Sequence, residues 1–166
     1  MATETLYSTA ATNARAVPRV PNSSFTESGI LRTSRGSVTV TSGMTSGSIY
    51  HLVELPADAR VVSVKLTNPA GSASSAFDVG VYRTPNDGGA VVDADYFGSA
   101  VACTSANVDL DITGESTVYT NAKREQPLWQ GAGLTTAPGG LLSIAATNTA
   151  TNAATFSIGI EVLWTI

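Results

Sequence analysis

Proton transfer, nucleophilic attack and metal binding each require particular side chains at particular spacings, and this sequence offers few of them. His51 is the single histidine, and histidine is the side chain best suited to move protons near neutral pH. It lies between Ile49 and Val53 in an alternating run, so the pattern predicts a hydrogen-bonded structural histidine on an apolar face. Cys103 is the single cysteine, in Val101-Ala102-Cys103-Thr104. That small-residue setting predicts a buried thiol with nothing beside it to favour the thiolate. One cysteine also excludes an intramolecular disulfide and a cysteine-based zinc cluster.

Two acidic groups invite a test as cation sites. Asp109-Leu-Asp111-Ile-Thr113-Gly114-Glu115 has the opening of a calcium loop, but its twelfth position is Thr120, where a bidentate glutamate is needed. Asp93 and Asp95 fall on one side of an extended chain and read equally well as solvated charges. These four aspartates are the residues from which a hydrolase would have to work. No Gly-x-Ser-x-Gly elbow, phosphate loop, dinucleotide fingerprint or paired-histidine motif is present. The pattern therefore predicts no catalytic residues, no metal and no cofactor. Tyr50, Tyr82, Tyr96, Tyr119, Trp129 and Trp164 would make a sugar-stacking platform if exposed together, which keeps a glycan-reading fibre or lectin-like module as the alternative function; as scattered strand residues they read as core or interface.

The elements that position these residues are strands. Ala, Ser, Thr and Gly contribute 78 of 166 residues, against 9 Lys and Arg. Helix surfaces are built from longer side chains, so this balance points to strands and turns. The apolar fraction of 43% supports a folded core. No apolar run approaches the roughly 20 residues of a membrane helix. The first residues lack the basic segment and apolar run of a secretory signal, so the chain is expected to be made in the cytoplasm.

From Gly36 onward, short alternating runs are separated by turn formers. Strands are expected at Ser37 to Ser42, Ser48 to Leu55, Arg60 to Thr67, Phe77 to Tyr82, Ala106 to Ile112, from Leu142, and from Thr155 to Ile166. Weaker strand signals lie at Val118 to Tyr119 and Leu128 to Trp129, and Ala94 to Ala102 has room for one helical turn. About eight strands without a crossover helix give an all-β fold: an antiparallel β-sandwich of jelly-roll or related Greek-key type over residues 37–166. Residues 1–36 are polar, carry Pro18 and Pro21, and read as an extended arm.

Charge divides along the same boundary. The arm has four arginines against two glutamates, a net of +2, while the body has five basic and eleven acidic groups, a net of −6. An acidic chain argues against general nucleic-acid binding. Tyr50, Leu52 and Leu163 fall on faces that otherwise alternate as polar, which marks them as candidate interface residues.

The sequence resembles the small decoration, or cement, proteins of tailed-bacteriophage heads, several of which are jelly-roll modules. The likeness rests on Arg15, Arg19, Arg32 and Arg35, on Leu31-Arg32-Thr33-Ser34-Arg35-Gly36, and on Pro56-Ala57-Asp58-Ala59-Arg60-Val61-Val62-Ser63-Val64. It continues through Phe77-Asp78-Val79-Gly80-Val81-Tyr82 and the segment from Gly88 to Phe97. The resemblance implies a structural virion protein that binds the outside of an assembled capsid, as a homodimer or homotrimer, and bridges subunits of the major capsid protein. It also implies no enzymatic step, no cofactor, no nucleic-acid or membrane partner, and a role for the four arginines in gripping an acidic capsid or neighbouring-subunit surface.

Overall fold

The computed structural model describes residues 8–18, 20 and 30–166. The chain divides into two units, residues 1–30 and residues 31–166. In the first unit a short helix, α1 (Thr9–Arg15), replaces the expected extended chain over those residues. Ser8 caps it, its Oγ accepting from the Ala11 amide at 3.2 Å.

The second unit is all-β. Its strands are β1 (Arg32–Val40), β2 (Ile49–Pro56), β3 (Arg60–Asn68), β4 (Ala76–Arg83), β5 (Val91–Ala102), β6 (Asn107–Asp111), β7 (Leu141–Asn148) and β8 (Phe156–Thr165). They form two antiparallel four-stranded sheets, ordered β1-β8-β3-β6 and β2-β7-β4-β5. Strands 1 and 8, 2 and 7, 3 and 6, and 4 and 5 are therefore partners. This is a long hairpin rolled over twice, the connectivity of a jelly roll.

Between the sheets lies one apolar core. Val38 and Val40 of β1, Val64 and Leu66 of β3, and Ile158, Ile160 and Val162 of β8 face Phe77, Val79 and Val81 of β4 and Leu142 and Ile144 of β7. Phe77 links the layers at one end, edge-on to Tyr50 and to Phe156 at 6.1 Å each. At the other end Tyr96, Phe97 and Tyr119 meet edge-on within 5.2 Å. Trp164 closes the β1 edge, its Nε1 donating to Ser34 Oγ at 2.9 Å.

Four local expectations are corrected. β1 begins at Arg32, five residues before the predicted start, because Thr33 to Gly36 pair in register with β8 despite their polarity. The segment Ala94 to Ala102 belongs to β5 and contains no helical turn. Val118 and Tyr119 lie in a turn-rich connection, where the Tyr119 hydroxyl donates to the Val61 carbonyl. Leu128 and Trp129 open a short helix, α3 (Leu128–Gly131), which follows α2 (Asn121–Arg124). Leu128 is buried there, and the Leu128 and Trp129 amides donate to the Ala59 and Ala57 carbonyls. Among the described residues no helix is long and apolar enough to cross a membrane.

Candidate interaction surfaces

A β-bulge decides which side chains of β2 face outward. The β2 to β7 register shifts between His51 and Val53, so one extra residue, Leu52, is inserted. Before the bulge the even positions point inward; after it the odd positions do. Tyr50 accordingly turns inward and packs, partly buried, on Phe77 rather than standing on the outer face, and Leu52 also packs against the core. His51, expected beside Ile49 and Val53 on an apolar face, instead lies on the outer face of the β2-β7-β4-β5 sheet. Its Nδ1 hydrogen-bonds Ser143 Oγ at 2.8 Å, and its ring meets Tyr82 edge-on at 5.9 Å. The hydrogen bond expected of His51 is present, but on the opposite face.

The middle of that outer face is closed by its own side chains. Tyr82 is only 1% exposed, and its hydroxyl pairs with Thr147 Oγ1. Ser143 and Ala145, on the same face, are fully buried. Beyond β4, strand β5 swells outward: Val79 pairs with Gly98 and Val81 with Asp93, leaving four residues between. A Cβ at Gly80 would lie 2.1 Å from the Asp93 carbonyl oxygen and 2.3 Å from that of Ala94, so glycine is required where β5 presses against β4.

The β1-β8-β3-β6 sheet has an open outer face organised in rows across the strands. In the first row Arg35, Glu161, Lys65 and Asp111 are consecutive register partners, giving charges of alternating sign. Arg35 is ion-paired with Glu161. Asp111 Oδ1 accepts from the amide and hydroxyl of Thr113, and these hydrogen bonds hold its pKa below the ordinary value. One step along the strands, Ser37, Gly159 and Thr67 are partners, and the Asp109 amide donates to Thr67 Oγ1 at 3.1 Å. The missing side chain at Gly159 leaves a groove of about 520 Å³ between the Arg35–Glu161 pair and Asp109. On the opposite side of the charged row, Leu163 is partnered by Thr33 and Ser63, with Val62 exposed in a bulge beside it.

The other predicted residues disperse. Arg15 ends α1; Arg19 lies outside the described residues. Arg32 stands in β1, its guanidinium 5.3 Å from the Trp164 ring, and so belongs to the body with Arg35. Leu163 alone of the predicted interface residues faces outward, half-buried on the open sheet. Among the acids, Glu115 turns to the Ser99 amide while Asp111 turns to Thr113, so the calcium-loop pattern does not converge. Asp93 and Asp95 are close neighbours; burial first, then a shared hydrogen bond and mutual repulsion, raise the Asp93 pKa against the pull of Lys123. Cys103 is buried, which pushes its thiol up to about 11. Tyr82, Tyr96, Tyr119 and Trp164 are buried, and Trp129 Nε1 donates to Asp58, so these aromatics form no exposed stacking platform. The charged row was the feature missed in the sequence: its members lie on four strands, and only the register aligns them.

No protein-family model and no curated protein matches the chain. Solved structures do resemble it. A chain of the capsid of Ralstonia phage GP4 aligns with a TM-score of 0.55 at 16% identity, covering 82% of this chain and 84% of that one. A chain of the cyanophage Pam1 capsid asymmetric unit gives 0.49 at 20% identity over 92% and 95%. A chain of the acid-stable capsid of the Helicobacter pylori bacteriophage KHP30 gives 0.36 at 17% identity over 82% and 94%. What the chain shares with the GP4 capsid chain is its fold.

Proposed function

We propose that this chain is a structural protein of a phage virion, which binds the outer surface of the assembled capsid and stabilises it by bridging subunits of the major capsid protein. The observation that carries the reading is that this eight-stranded jelly roll aligns, over more than four-fifths of both chains, with a chain of the GP4 capsid. Burial of its aromatics and the scatter of its acids favour a contact-making protein over a glycan reader or a hydrolase. In this reading the chain acts without cofactor or metal, associates with further copies of itself as a homodimer or homotrimer, and is located on the virion surface. The segment before β1, with Arg15 and Arg19, is the arm that grips the capsid.

Co-sedimentation of the full chain with purified phage heads lacking it tests the reading. Saturable binding that raises the temperature at which heads open is expected; no binding at any concentration would overturn it. R15E/R19E is expected to weaken head binding by at least about tenfold, and unchanged binding would remove the arm from the proposal.

A further inference from the structure

The open face of the β1-β8-β3-β6 sheet is complementary to itself. Its charged row runs Arg35, Glu161, Lys65, Asp111, and an even row of alternating signs matches its own reversal. We propose that two copies of the chain pack through this face about a two-fold axis that runs parallel to the strands, between β8 and β3. This deepens the self-association in the proposed function and rests on that part of it, not on capsid binding.

A two-fold axis of this direction reverses each row and keeps each row opposite itself. Arg35 then lies against Asp111 of the second copy, and Glu161 against its Lys65, so every charge meets the opposite sign. In the next row Thr67 of one copy stands over the groove above Gly159 of the other, where a side chain is missing. On the far side Leu163 projects over Ser63 of the second copy, with Val62 beside it, so the apolar end meets an apolar end. An axis along the charged row would instead stack Arg35 on Arg35 and Glu161 on Glu161. Like charges in contact exclude that arrangement.

Four strands about 4.8 Å apart and rows about 7 Å apart give a face of roughly 19 by 20 Å. Aligned packing of two such sheets is a standard sandwich geometry. The face amounts to roughly 380 Å² a side and about 760 Å² in total, below the about 1,000 Å² of a stable specific interface, so only a weak dimer in concentration-dependent exchange with monomer is expected. Salt is expected to weaken it, since the charged row is only partly removed from solvent.

Sedimentation velocity of the full chain over a wide concentration range is the test. A monomer–dimer equilibrium is expected. R35D and D111R are each expected to weaken it at least about tenfold. The double variant R35D/D111R is expected to recover most of that loss, because the contacts between copies re-form with signs exchanged. Within one copy the double variant puts Asp beside Glu161 and Arg beside Lys65, so a purely intramolecular role for the row would make it worse than either single change. T67R, on the exposed groove wall, is expected to abolish the dimer without disturbing the fold. Dimers or trimers indifferent to all these changes would place self-association on another face and overturn this proposal alone. A chain monomeric at every concentration would overturn the self-association as well, with head binding still measurable by itself. Variants that leave a monomeric chain monomeric but lose head binding would assign the face to the capsid.

Discussion

The two sheets of this jelly roll have the same number of strands and the same alternation of side chains, yet their outer faces differ. On the β2-β7-β4-β5 sheet, Tyr82 lies down over β7, His51 is tied to Ser143, and β5 is pressed onto Gly80, so Ser143 and Ala145 never reach solvent. On the β1-β8-β3-β6 sheet, Ser, Thr, Gly and the Arg35–Glu161 pair leave a surface that is grooved but open. One sheet has covered its middle and keeps apolar side chains exposed at the starts of its strands, at Ile49, Val91 and Leu141. The other pairs Arg35 with Glu161 in its charged row and keeps its shape available.

Glycines supply the sharpest way to break this comparison. Gly80 and Gly159 both occupy outward positions in central strands. At Gly80 a methyl group would collide with two backbone carbonyls, neither of which moves without displacing β5; at Gly159 the nearest atom to an added Cβ is Ser37 Cβ, at 3.3 Å. Gly80→Ala is expected to cost more than about 3 kcal/mol, and Gly159→Ala less than about 1 kcal/mol, by urea unfolding. Equal costs would mean that the sheets are not differently sealed. Side-chain truncation should follow the same division. Tyr82→Ala removes a buried ring and is expected to cost about 3 kcal/mol or more, whereas Leu163→Ala, half-buried on the open face, should cost about 1 kcal/mol. If Leu163→Ala proved as costly as Tyr82→Ala, its side chain would be part of the core.

How much of this was legible in the sequence depended on whether a strand specifies its own face. β8 does: Phe156, Ile158, Ile160, Val162 and Trp164 alternate without interruption, and all five are buried. The all-β class, the strand count and the sandwich followed from segments of this kind. β2 does not, because its pattern was read as one period while a single inserted residue, Leu52, inverts it. That inversion turns Tyr50 inward against Phe77 and carries His51 outward. The first half of β1 is legible only through its partner, since Thr33, Ser34, Arg35 and Gly36 have no apolar alternation of their own and become strand by pairing with β8. The same limit hid the charged row. Arg35 falls in the expected arm and Asp111 in the expected strand from Ala106 to Ile112, and no local pattern connects residues so distant in sequence.

The smallest expected effect separates the sheets by pH. Asp111, on the open sheet, is held as an anion by the Thr113 hydroxyl and amide, so its pKa is lowered on folding. It contributes stability above the unfolded aspartate value of about 3.9, and that stability is lost as pH falls through the lower folded value. Asp93, on the β5 edge strand of the other sheet, has its pKa raised chiefly by burial and then by Asp95. The sign is opposite: its protonated form is favoured, the contribution is present below about 3.9, and it is lost as pH rises through the higher folded value. At pH 7, Asp111→Asn should therefore destabilise and Asp93→Asn should stabilise, each by less than about 1 kcal/mol because both groups retain solvent contact. Near pH 3 both differences should shrink as the parent carboxyls take up protons. Urea unfolding of the two variants and the parent at both pH values measures this. Shifts of the same sign at pH 7 would show that the two edges hold their carboxyls alike, and the contrast between an open charged sheet and a sealed one would then rest on packing alone.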